Sequence, residues 1–262
     1  MSTSALQVAR TGLDAQDLKM RVIANNLANV NTTGFKKDRA NFETLAYQQI
    51  VAAGTQSDSE NKYAVGLNLG SGVQLAGTAR VDTQGTLNTT GNSLDLAIEG
   101  SGFFQVQQAD GTIAYTRAGN FNMSAEGTLV TGDGLPVVPQ IQVPEGAQSI
   151  TIGADGTVSA VMSGQANPTQ LGQIELARFV NPAGLNAIGN NLLLATAASG
   201  AAQVGAAGAE GRGSIRQGSL EGSNVNTVEE LVDMIETQRA YEVASKMIKS
   251  TDEMMQFANQ QI

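Results

Sequence analysis

Hydrophobic positions recur with a helical period at both ends of the chain and alternate with polar ones in between. Near the start, Leu6, Ala9, Leu13, Gln16, Met20, Ile23, Leu27 and Val30 follow one another at alternating spacings of three and four. That is the seam of a helix that packs along another helix, interrupted once by Gln16. Ser4 with Gln7 fits a capping box, and Asn31 and Gly34 supply the stop. At the far end Asn226 or Thr227 stands as the N-cap, with Glu229 and Glu230 where the helix dipole favours acids. The apolar stripe there runs through Leu231, Ile235, Tyr241, Ala244, Ile248, Met255, Ala258 and Ile262, close to a 3.5 period. Ala244 and Ala258 are small enough to admit a close neighbour.

The middle reads as strands and turns. Asp110-Gly111, Asp133-Gly134 and Asp155-Gly156 each sit between short apolar or β-branched runs, a strong hairpin signal. "SLDLAIEG" alternates Leu94, Leu96 and Ile98 with other residues, and "FFQVQQ" follows. Residues 52–72 are rich in Gly, Ser and Asn and predict an extended stretch, and Ala/Gly-rich 199–213 predicts a loop or linker. The expected class is α+β. Residues 1–35 form an N-terminal helix, 36–75 an extended connection, 76–220 a β domain, and 221–262 a C-terminal helix that pairs with the first in coiled-coil fashion. Neither helix is comfortable alone. Pairing the two still leaves Met, Ala and Asn outside the seam short of partners, a deficit that further copies of the chain would fill.

Composition narrows the chemistry. Among 262 residues there is no cysteine and no histidine. Disulfides, thiolate nucleophiles and zinc-thiolate sites are excluded, and the usual neutral-pH base and commonest metal ligand are missing. The formal charge of −9 argues against nucleic acid as a partner. Charge is uneven: residues 1–40 carry +3 and residues 227–262 carry −4, which favours the two ends lying side by side. No apolar run is long enough to insert in a membrane, and the N-terminus lacks the pattern of a cleavable signal peptide.

Candidate active-site patterns are weak. "EGSGFF" has a Gly-x-Gly but neither the third glycine nor the following helix of a phosphate loop. Asp95 and Glu99 lie four apart on one strand face, and exposed acids explain them better than a glycosidase pair. No stretch matches a calcium loop. Asn31-Thr-Thr and Asn88-Thr-Thr match glycosylation sequons by chance. Met234, Met247, Met254 and Met255 mark buried surface on the last helix and imply no cofactor. No metal and no catalytic residue is expected.

The asparagines in "IANNLANVNTTGFKKDR" remain. Ordinary helix termination accounts for Asn29 and Asn31, but Asn25 and Asn26 come a full turn earlier. Amides flanking an apolar seam bridge to neighbouring helices and fix their register. The basic cluster Lys36, Lys37 and Arg39 suits either an acidic partner or a solvated turn.

These residues carry a resemblance. "ANNLANVNTTGFKKDRANF" resembles the N-terminal signature of the bacterial flagellar axial proteins of rod and hook, and "SLEGSNVNTVEELVDMIETQRAYEVASKMI" their C-terminal signature. "DLAIEGSGFFQVQQADGTIAYTRAGNF" is similar to the β domain of the hook protein and larger rod proteins. Within that family the length and residues 47–73 are most like distal-rod members; hook and proximal-rod subunits are the near alternatives, and a secreted β-rich carboxylate hydrolase the distant one. The resemblance implies a structural subunit, not an enzyme, that passes through the flagellar type III export apparatus and works in the periplasm. It implies a helical homopolymer with terminal helices as inner wall and β domain outside. Proximal-rod and hook proteins would adjoin it, and P-ring and L-ring proteins surround it. The assembly interface would comprise Leu6, Leu13, Met20 and Ile23, then Asn25, Asn26, Leu27, Asn29 and Val30, and from the last helix Leu231, Ile235, Tyr241, Ala244, Ile248 and Met255. Tyr47, Gln56, Asn61, Leu67 and Leu69 would belong to a stretch that stiffens the rod.

Overall fold

In the computed structural model, residues 2–56, 63–163 and 167–260 are described, without the side chains of residues 2–5, 255 and 258–260. Asn61 and Ile262 therefore lie outside the described residues, as do the side chains of Met255 and Ala258. Two long helices and many strands between them make the class α+β. The helix α1 covers Ser2–Ala28. Ser4 is thus inside its first turn and not its cap. It ends before Val30 and Asn31: Thr32 N donates to Asn29 O at 3.1 Å, and a turn replaces the last expected seam position. The helix α2 covers Thr227–Gln260. Asn226 is its N-cap, its Oδ1 accepting from Val228 N at 3.1 Å, with Glu229 and Glu230 in the first turn.

The chain divides into two units. The first comprises residues 1–27, 38–79 and 226–262, and the second residues 28–37 and 80–225. In the first, the stretch after α1 is not simply extended. Tyr47–Val51 pairs antiparallel with Leu67–Gly70, and Asp38–Thr44 pairs with Val73–Arg80. The result is a two-stranded ribbon. Gly72 lets it turn back against α1: with φ +112, a Cβ there would stand 2.2 Å from Thr11 Oγ1.

The second unit is built on a seven-stranded sheet. Phe103–Gln107 lies near its middle, paired with Ile113–Thr116 through the Asp110-Gly111 turn. Asp155-Gly156 likewise joins Ala147–Ile152 to Thr157–Met162. Residues 199–213 are not all loop, because Gln203–Ala206 adds a strand beside Glu175–Arg178. Low side-chain volume hid that strand, since Gly205 and Ala206 lack β-branching. Alternation along Phe103–Gln107 serves two cores. Phe104 and Val106 pack with Leu96, Ile98, Phe121 and Leu176 on one face. Phe103 packs with Tyr115, Phe179 and Leu193 on the other. Edge-to-face rings, Phe104–Phe121 at 5.1 Å and Tyr115–Phe179 at 4.8 Å, pack one in each core.

Strands from near the end of this unit close sheets begun early. Ser214–Gln217 pairs with Leu96–Glu99, and Ser219–Glu221 with Leu87–Thr89. This pairing carries Glu221, 0% exposed, into the interior. Two cations meet it there: Lys36 Nζ at 2.5 Å from Oε1 and Arg117 Nη1 at 3.2 Å from Oε2. Burial pulls the Lys36 ammonium below the ordinary lysine range, and its hydrogen bond and ion pair with Glu221 oppose the shift. Arg117 also donates to Gly100 O at 2.7 Å and lies over the Phe103 ring. The buried carboxylate is fully engaged.

Candidate assembly surfaces

On α2 the covered positions follow a 3/4 repeat, with Asp233, Ala240 and Ser245 half-buried beside it. Glu230 and Thr237 are buried, and Met234, Tyr241, Ala244, Ile248 and Thr251 are half-buried, at spacings of three and four. The apolar stripe read from the sequence mixes this face with another. Tyr241, Ala244 and Ile248 lie on the covered face, whereas Leu231 is 43% and Ile235 50% exposed. Val228 and Val232 beside them, and Val243, Met247, Met254 and Phe257 further along, are also exposed. Glu230 and Thr237 escaped the sequence reading because they are polar. Only the heptad spacing, taken without regard to polarity, points to them. Thr237 tolerates burial by donating to Asp233 O at 2.6 Å, one turn back in its own helix.

On α1, Ala15 and Ile23 are buried, and Leu6, Leu13, Met20 and Leu27 are half-buried. The asparagines divide by role. Asn26 is 2% exposed. Its Nδ2 donates to Asp38 O at 2.9 Å and Glu230 Oε2 at 3.2 Å, while Oδ1 accepts from Asp38 N at 3.0 Å. One amide thus ties α1 to α2 and to the first ribbon strand. Asn25 is exposed. Asn29 and Val30 belong to the second unit, where Thr32 Oγ1 donates to Asn29 Oδ1 at 3.1 Å.

The ribbon offers a further apolar surface. Tyr47, Ile50, Leu67 and Leu69 are exposed, with Tyr63 and Val65 near its tip, and Gln56 is exposed as well. A two-stranded ribbon with large apolar side chains in water is marginal by itself. No group of acids large enough to hold a metal exists among the described residues. No helix there is long and apolar enough to cross a membrane.

Comparison with known proteins gives these surfaces a setting. Residues 6–36 match the family profile "Flagella basal body rod protein", residues 97–160 "Flagellar hook protein FlgE/F/G D1 domain", and residues 216–261 "Flagellar basal body rod FlgEFG protein C-terminal". The flagellar basal-body rod protein FlgG of Buchnera aphidicola from Acyrthosiphon pisum is 50% identical over 98% of both chains. FlgG of Bacillus subtilis is 40% identical over 94% of both. FlgF of Caulobacter vibrioides is 37% identical, covering 92% of this chain and 90% of its own. The chain belongs to the flagellar basal-body rod protein family, as a structural subunit of the distal rod.

Proposed function

We propose that the chain polymerises into a rigid helical tube in which α1 and α2 of many copies pack side by side, coiled-coil fashion, as the inner wall. Residues 1–27 and 226–262 supply the helices of that wall, 38–79 the connecting ribbon, and 28–37 with 80–225 the outward β part. The observation that carries this reading is the row of large apolar residues left uncovered along α2, from Val228 through Leu231 and Ile235 to Phe257. A helix with apolar residues beyond its covered face belongs among several helices. Leu6, Leu13, Met20, Ile23, Leu27 and Val30 on the N-terminal side, and Tyr241, Ala244, Ile248 and Met255 on the other, complete the interface, with Asn25, Asn26 and Asn29 fixing register. Tyr47, Gln56, Leu67 and Leu69 press on neighbouring copies and stiffen the tube.

Such a tube transmits torque across the periplasm and provides a channel for export. The chain itself passes through the flagellar type III export apparatus. Proximal-rod proteins adjoin the tube below and hook proteins above, with P-ring and L-ring proteins around it. It carries out no catalysis and needs no cofactor. Electron microscopy of basal bodies from cells lacking the chain tests the reading. Rods should end short and bear no hook; full-length rods would overturn it.

A further inference from the structure

The chain enters the second unit after residues 27 and 79 and leaves it after residues 37 and 225. The segments beside the last three of those boundaries, residues 34–37, 81–85 and 221–224, are joined by two side chains. Asn224 Oδ1 accepts from Lys37 N at 2.7 Å, and its Nδ2 donates to Val81 O at 2.8 Å and Thr83 O at 3.1 Å. One amide therefore holds all three segments. Glu221 does the same three residues earlier. Its Oε1 accepts from Lys36 Nζ at 2.5 Å and from Gly85 N at 3.0 Å. Lys36 Nζ reaches on to Thr83 O at 2.8 Å. Backbone bonds reinforce the knot: Gly34 N to Glu221 O at 2.8 Å and Val81 N to Lys37 O at 2.9 Å. Every one of these atoms lies within the second unit.

Most of a β unit's hydrogen bonds join strands; here two side chains join the ends through which the unit is attached. A buried carboxylate shared by two cations is seldom retained for stability alone, because apolar residues of similar volume often do as well. Its directional bonds do what apolar packing does not, which is to fix three segments in one register. We propose that Glu221 and Asn224 form a load-sharing staple, so that force arriving along any one of the crossings at residues 37, 79 and 225 is borne by all three. The proposal rests on the torque-bearing role above and adds to it the residues that pass load into the β unit.

Single-molecule pulling on the full-length chain tests it. The chain has no cysteine, so Ala28→Cys and Ala125→Cys, both at exposed positions, give clean handles. In the otherwise intact chain, residues 28–37 should stay attached until the unit itself opens, in one step. With Asn224→Ala or Glu221→Gln, an earlier step should appear at less than half that force. Its length should be roughly 33–36 Å, from about ten residues at ~3.3–3.6 Å each. Val158→Ala, in the core away from the staple, should lower the main force without adding a step. Should Glu221→Gln fail to fold, Asn224→Ala decides alone. A single step at the unaltered force, or behaviour like Val158→Ala, would overturn the staple. That failure is separate from failure of the rod reading, which rests on basal bodies from cells lacking the chain.

Discussion

Three exposed carboxylates in the β unit are set by their immediate neighbours. Hydrogen bonds from Thr112 hold Asp110 below the ordinary carboxylate range, Ser124 does so for Glu126, and Thr157 for Asp155. Each binds its proton more weakly in the folded chain than in the unfolded one. Between the two values the unfolded chain carries more protons, so stability rises with pH there. The contribution is complete above the ordinary carboxylate range and is lost as pH falls through the lowered values. Replacing Thr112, Ser124 and Thr157 by Ala should therefore flatten the acid limb of a thermal-melting series, and an unchanged limb would refute the assignment. Gly34 makes a different residue-level point. Its φ of +70 and a Cβ position 2.7 Å from the Arg117 and Ala118 backbone admit only glycine. The left-handed conformation alone costs an L-residue about 1–2 kcal/mol. In the sequence Gly34 reads as the helix stop. In the fold it is where the chain, already past α1, runs hard against the strand end at Arg117.

At the scale of elements, both helices and the Asp-Gly hairpins are legible because each rests on a local period or a turn residue. What is not legible depends on partners far along the chain. Glu221 in "SLEGSN" looks like a surface acid until the strand Ser219–Glu221 pairs with Leu87–Thr89 and turns it inward. Asn26 likewise reveals its role only when Glu230 and Asp38 arrive beside it. The apolar stripe of α2 was misleading in an informative way. It joined Ile235, on an uncovered face, to Ile248, on the covered one, because a 3.6-residue helix with apolar residues on two faces has no single seam. The two faces should answer differently to charge. Ile235→Asp, half exposed in the single chain, should leave the monomer's circular dichroism and melting unchanged but abolish rod formation in cells. Rods of normal length in that variant would contradict assembly through this face.

For the whole molecule, the division of labour follows from where apolar surface is spent. The β unit buries Phe104, Phe121, Leu96, Ile98 and Leu176 almost completely, and an interior packed in this way is self-sufficient. Among the described residues the helical unit buries only Ala15, Ile23, Asn26, Glu230 and Thr237, and leaves a row of Val, Met and Phe outside. The same asymmetry is legible in the sequence as apolar positions of the terminal helices in excess of what one pairing can cover. The measurement that tests it most directly is limited proteolysis of the purified monomer beside isolated rods, with fragments sized by mass spectrometry. The monomer should be cut readily before residue 80 and after residue 225 and leave the β unit whole, while in rods the same bonds resist. Helices equally resistant in monomer and rod would mean that they need no neighbours, and the polymer's inner wall would have to be built from something else.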